Sequence, residues 1–123
     1  MSGPEFGLAV TQLRRVAAQA LGRLAAYDAV LTPTLASPPL RIGEIRNDED
    51  PARDFENQKR FTPFTAAWNL TGMPAVSLPL HMTEDGLPVG VMLAGRPGED
   101  HRLLALSAQV EAAAPWSAVP VEM

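Results

Sequence analysis

The side chains that could do acid–base or nucleophilic chemistry are few and scattered. His81 and His101 are the two histidines, and they lie 20 positions apart without a metal-ligand pattern around them. Lys59 is the one lysine and sits in a charged stretch. No serine has the Gly-x-Ser-x-Gly surroundings of a nucleophile elbow. We therefore interpret the histidines and Lys59 as surface residues and Ser77 as a small residue on a packed face, with no catalytic residue assigned.

Two further stretches could hold a ligand but lack the necessary pattern. The acidic run 48–50 could bind a cation, but no glycine-turned ligand loop follows it, so we interpret it as a solvated loop. The stretch "GRPGED" has glycines ahead of a predicted helix, but Glu99 and Asp100 would repel a phosphate there. Without cysteine the chain has no disulfide, thiolate nucleophile or cysteine metal site. We expect neither a metal nor a cofactor.

One apolar group could form the wall of a substrate pocket. Trp68, Asn69 and Met73 lie around the end of a predicted helix, whose C-terminal turn would point toward a cleft. Trp68 offers a large apolar surface, Asn69 an amide that donates and accepts, and Met73 an adaptable filler. The alternative interpretation, which spacing alone favours, is that they are core residues holding the helix on the sheet.

The composition limits the partners that this chain can have. Its 123 residues suffice for one domain, 1–123, with one core, and hydrophobic residues make up 46% of it. The net charge of −4 offers no electrostatic footprint for nucleic acid or an anionic membrane surface. The N-terminal residues lack the pattern of a signal peptide, and no run is long enough for a membrane span. We expect a cytoplasmic protein.

The first half of the chain predicts one helix, one strand and a surface excursion. Ser2 and Glu5 form a capping-box pattern, and apolar residues then recur at helical spacing, which predicts a helix over about 4–26. The apolar run 29–31 predicts a short strand that is buried on both faces. From 41 to 60 the sequence is polar, and we expect a surface excursion with at most a short helical turn.

The second half predicts a helix, two strands and a last helix. Thr62 is the expected cap of a short helix that Gly72 ends, and Asp100 is the expected cap of the last helix, which Pro115 ends. The strands "PAVSLPL" and "LPVGVMLAG" flank the polar turn "HMTEDG". Both strand faces are small or apolar, so helices should cover both. Pro79 cannot donate to a ladder and predicts an edge or a bulge.

This order of elements predicts an α/β fold with about three strands. A sheet covered on both faces usually has five or six strands. The sheet is therefore incomplete in this chain, and its free edges could lead to a homo-oligomer.

At "FTAAWNLTGMPAVSLPL" followed by "GLPVGVMLAGRPGEDHRLLALSAQVE" the sequence resembles the C-terminal part of the amidase signature family. The resemblance begins at the first helix and "YDAVLTPTLASPP" and so covers nearly the whole chain. It implies a share in the large mixed sheet, flanked by helices, of those enzymes. It also implies hydrolysis of a small-molecule amide to a carboxylic acid and ammonia, once an N-terminal half completes the enzyme.

The same resemblance places the catalytic groups outside this sequence. In the family a serine nucleophile, a relay serine and a lysine lie in an upstream region rich in glycine and serine, and Lys59 and Ser77 do not match those positions. The chain is then a fragment, a truncated gene product or one piece of a split enzyme. The alternative is a non-catalytic binding or scaffolding module derived from an amidase.

Overall fold

A computed structural model describes residues 1–116, which form four α-helices and three β-strands. The order along the chain is the predicted one with a single added helix in the polar excursion. The elements are α1 (Gly3–Leu24), β1 (Ala29–Pro33), α2 (Pro51–Phe61), α3 (Thr65–Thr71), β2 (Ala75–Met82), β3 (Pro88–Gly95) and α4 (Asp100–Ala113). None of the helices among residues 1–116 is long and apolar enough to cross a bilayer.

The helix α1 begins at the predicted capping box. The Ser2 backbone N–H and hydroxyl both donate to Glu5 Oε2, at 2.6 and 2.9 Å. These bonds, the backbone one foremost, hold the pKa of Glu5 below its usual value. Two backbone groups at the helix start are thereby satisfied, because the Glu5 N–H in turn reaches the Ser2 hydroxyl.

The three strands form an antiparallel sheet in the order β1-β3-β2, so β3 lies in the middle. The predicted turn between β2 and β3 is present. Its ends are joined by a backbone bond of 2.8 Å from Thr83 N–H to the Leu87 carbonyl, and Gly86 supplies the left-handed conformation with φ +80°. Leu87 N–H also donates to the Thr83 hydroxyl, at 2.9 Å.

A β-bulge occurs at Pro79, as its missing N–H predicted. Leu78 pairs with Val91 and His81 pairs with Val89, so two residues of β2 face the single residue Gly90 of β3. Because proline has no backbone donor, the strand loses no ladder bond at the point where it bulges.

Two apolar clusters pack against the two faces of the sheet. The α3 face of the sheet carries Met92 and Ala94, which pack with Trp68 and Met73 and with partly buried residues of α1. The α4 face carries Leu78 and Leu93, which pack with Leu103 of α4. Alternate residues of β3 thus enter opposite clusters, and both faces of this central strand are covered as expected.

The expected burial on both faces is wrong for the outer strands. Leu31 in β1 is 68% exposed although its pairing partner Leu93 is 6% exposed. The reason is that α4 packs on β2 and β3, while β1 lies at the edge of the sheet. Ala75 and Ser77 of β2 are also exposed, so the α3 face is covered only in part.

The polar excursion contains a longer helix than expected. The 11-residue helix α2 has no buried residue, which confirms its surface position, but it exceeds the single turn that the polarity suggested. Asp50 accepts hydrogen bonds from the backbone N–H groups of Ala52 and Arg53, and Pro51 fits the first turn. Local capping therefore supplies the helix start that the apolar pattern did not show.

Two predicted helix caps are also wrong. Thr62 does not cap α3; it follows the end of α2, where its hydroxyl donates to the Gln58 carbonyl. The N-cap of α3 is Phe64, without a side-chain bond, and Gly72 ends the helix in the left-handed conformation as expected. Asp100 is the first residue of α4 and Glu99 its N-cap, because the turn at Gly98 starts the helix one residue early.

Adjacent leucines in α4 test the packing of the α4 face. Leu103 is 5% exposed, and Leu103→Ala should lower the free energy of unfolding by about 2–5 kcal/mol through lost burial and a residual cavity. Leu104 is 64% exposed, and Leu104→Ala should change it by at most about 0.5 kcal/mol. Urea unfolding followed by circular dichroism measures both. Equal effects of the two substitutions would contradict this arrangement of α4.

Candidate functional site

Two hydroxyl groups lie together on the α3 face. Thr34 Oγ1 and Ser77 Oγ are 2.6 Å apart, and both lie over Gly90 of the central strand. A Cβ atom at Gly90 would be 2.6 Å from Ser77 Oγ and 2.7 Å from Thr34 Oγ1. Glycine at this position is therefore what allows the hydroxyl pair to settle onto the sheet.

All three strands position this pair. Ser77 lies in β2, and Gly90 in β3 accepts a 3.0 Å hydrogen bond from the Thr34 backbone N–H just past the end of β1. The chain after Thr34 is held to the end of α2, because Ala36 N–H donates to the Phe61 carbonyl at 3.0 Å. The pair is thus fixed by sheet register and by the α2 end. Ser77 is exposed, so its expected role as a small residue on a packed face is wrong.

A third hydroxyl continues the row. Thr32 pairs with Met92, which places its side chain on the same face as Thr34. Its Oγ1 is buried and has no hydrogen-bond partner among residues 1–116. Hydroxyls both donate and accept, so the row can bind amide, carbonyl or carboxylate groups.

The pair has no base to activate it within the described chain. Over residues 1–116, neither hydroxyl forms a hydrogen bond with a histidine, lysine or carboxylate. A serine or threonine hydroxyl needs such a base to act as a nucleophile. The arrangement can bind and orient a polar group, but nothing seen at the pair can remove its proton.

The three predicted wall residues separate into two environments. Trp68 and Met73 are each 8% exposed and meet in the cluster on the α3 face, whereas Asn69 is exposed. Trp68 Nε1 is buried without an acceptor among residues 1–116. The structure therefore brings Trp68 and Met73 together under α3 and leaves the amide of Asn69 on its surface.

Met73 also borders a cavity of about 310 Å³ between the end of α1 and the loop after β3. Arg96 lies at this cavity, and its guanidinium is engaged by the Tyr27 carbonyl and by Asp28, each at 3.1 Å. A larger hollow, of about 580 Å³, lies instead along α2 and the loop before it, and includes none of the predicted wall residues.

The remaining candidate groups are surface residues, as expected. Lys59 Nζ lies 2.7 Å from Glu56 Oε1, and this bond holds the pKa of Glu56 below its usual value. Asp48 pairs with Arg46 and Asp50 caps α2. Over residues 1–116, no three His, Asp or Glu side chains come together as a metal site would require.

Sequence reasoning missed the hydroxyl row for a specific reason. Alternation placed Ser77 and Gly90 on one face, but nothing in the sequence paired β1 with β3 and so brought Thr34 to them. A signal did exist, since "TPT" directly follows a strand and each of its threonines lies on the same side.

Comparisons with known proteins place the chain among amide-cleaving enzymes. Residues 6–104 match the family model described as Amidase. A protein of Mycobacterium leprae named "Putative amidase AmiC" is 36% identical over 113 residues, which are 92% of this chain and 24% of that protein. The chain thus spans about a quarter of the length of this curated relative.

Solved structures give the same result. The structure of 6-aminohexanoate cyclic dimer hydrolase is similar with a TM-score of 0.84 and 31% identity, over 94% of this chain and 26% of that one. One subunit of the glutamyl-tRNA(Gln) amidotransferase from Thermotoga maritima is similar with a TM-score of 0.70 and 31% identity, over 92% of this chain and 23% of that one.

The space above Gly90 gives a direct test of the hydroxyl pair. Gly90→Ala should lower the free energy of unfolding by about 1–3 kcal/mol, because the new Cβ displaces both hydroxyls. Gly22→Ala in α1, where a Cβ meets open space, should raise it by about 0.5–1 kcal/mol. Adding Ser77→Ala to Gly90→Ala should recover part of the loss. Tolerance of Gly90→Ala in urea unfolding would show that the hydroxyls do not pack over this glycine.

Proposed function

Because this chain belongs to the amidase family, we propose that it is the C-terminal part of an enzyme that hydrolyses a carboxamide to a carboxylic acid and ammonia. The observation that carries this proposal is the family match over residues 6–104, which includes all four helices and all three strands at least in part. The similarity to a solved amide hydrolase at a TM-score of 0.84 supports it. The substrate proposed is a small-molecule amide, and the cytoplasmic location stays a prediction.

We further propose that the chain is catalytically incomplete by itself. Amide hydrolysis through serine needs a nucleophile, a base and donors for the developing oxyanion. The Thr34–Ser77 pair supplies hydroxyls without a base in the described chain. The catalytic groups would come from an N-terminal half that corresponds to the remaining three-quarters of the relatives.

This chain would contribute one wall of the substrate pocket. Asn69 is exposed and its amide is free to meet a carboxamide, which also donates and accepts. Trp68 and Met73 lie underneath, each 8% exposed, and would set the position of α3 and so of Asn69. Such a division between a placed polar group and an apolar support is typical of ligand pockets.

The second candidate function is a binding or scaffolding module without hydrolysis. The specific observation that favours it is the absence of a base at the hydroxyl pair over residues 1–116. The two functions differ in one measurable property, since only the enzyme part yields ammonia when a catalytic half is supplied.

Ammonia release separates the two functions. The purified chain should release no ammonia from a panel of aliphatic and aromatic amides. A chimera in which this chain replaces the matched segment of the Mycobacterium leprae relative should release it. A folded, inactive chimera, beside an active parent enzyme, would favour the non-catalytic module. Steady release by the isolated chain that Ser77→Ala abolishes would refute the proposed incompleteness.

The pocket wall is tested in the same chimera. Asn69→Ala should change the ranking of kcat/KM among amides of different size while the melting temperature moves little, because Asn69 is exposed. Trp68→Phe should also shift this ranking, but with a lower melting temperature because its ring is buried. The neighbouring exposed Leu70, changed to Ala, is the control for α3. If ranking is unchanged in both variants, these residues are structural.

A further inference from the structure

The helix α1 carries an apolar stripe that only its last turns bury. Leu21 and Leu24 pack against the cluster on the α3 face. At about 3.6 residues per turn, Phe6, Leu13 and Val16 lie on the same side of the helix further toward its start. They are 62%, 52% and 54% exposed, and α1 has no fully buried residue. We call these three residues the α1 stripe.

The stripe is bare because its support is short. Helix α1 has 22 residues and α3, on which it packs, has seven. At a rise of about 1.5 Å per residue these helices are about 33 and 10 Å long, so most of α1 extends past its neighbour. Three large apolar side chains in a row on one helix face mark an interaction surface, unlike exposed apolar residues that stand singly.

We propose that the α1 stripe docks the catalytic part of the amidase, through an apolar face of that part edged by carboxylates. This rests on the proposed function. The relatives carry about three-quarters of their length beyond the match, so a partner large enough to cover some 20 Å of helix exists in each of them. The carboxylate rim follows from the three arginines and one glutamate of α1.

A second copy of this chain fits the stripe less well. In a twofold dimer the same patch meets itself, so two stripes in contact would place two net-positive helices side by side. Repulsion between them would oppose the apolar contact, whereas a carboxylate-edged partner would add attraction.

Leu13 and Leu8 form a matched pair for the test. They are 52% and 60% exposed in the same helix, but Leu8 lies about 140° around the axis from Leu13. Leucine and glutamine have similar helix propensity, so Leu13→Gln and Leu8→Gln should have equal, small effects on α1 itself. In the chimera with the Mycobacterium leprae relative, Leu13→Gln should lower the melting temperature clearly more than Leu8→Gln.

Co-purification provides a second measurement that does not need a stable chimera. The untagged chain is co-expressed with a tagged polypeptide made of the Mycobacterium leprae relative without its matched segment. Wild-type chain and Leu8→Gln should co-purify, and Leu13→Gln should lose about fivefold or more, the ratio for about 1 kcal/mol of lost burial. Equal recovery of the two variants, or no recovery of the wild-type chain, overturns the inference.

The remaining outcomes separate this inference from the proposed function. A chimera that releases ammonia but responds equally to Leu13→Gln and Leu8→Gln defeats the inference alone. A chimera in which only Leu13→Gln destabilises, without ammonia release, defeats the proposed function alone. If sedimentation shows that the isolated chain dimerises and Leu13→Gln dissociates the dimer, the occupant is a second copy and the proposal is wrong.

Discussion

The rest of the structure depends on the central position of β3. Its antiparallel ladders to β1 and β2 join the two halves of the chain into one sheet, and its residues alternate into the two apolar clusters. Met92 and Ala94 meet the helices α1 and α3, while Leu93 meets α4. Each of these helices therefore packs where it does because one short strand presents a different cluster on each face.

The same strand creates the candidate site. At Gly90 the side-chain row of β3 is interrupted, and the vacated space receives hydroxyls from the strands on both sides. Opposite this glycine Pro79 and Leu80 form the bulge of β2. Missing side-chain volume and a missing backbone donor thus coincide at one end of the sheet, and a polar row stands where the apolar clusters stop.

The uncovered surfaces point to a larger assembly. Leu31 at the sheet edge and the α1 stripe are exposed although each continues a buried row. A chain of this length that spans a quarter of its relatives cannot cover both faces of its own sheet. Family membership explains these features together, since the matched enzymes hold the corresponding segment as about a quarter of one chain.

The sequence by itself determined the features that arise from local chemistry. The capping box at Ser2, the turn at Gly86, the bulge at Pro79 and the end of α3 at Gly72 each follow from one residue's backbone or hydrogen-bonding preference. Tertiary structure decided what depends on long-range pairing. It placed β1 beside β3, which exposed Leu31 and brought Thr34 to Ser77, 43 positions away. It also buried Trp68 and left Asn69 in the open, because a helix periodicity shows which residues share a side but not which neighbour covers that side.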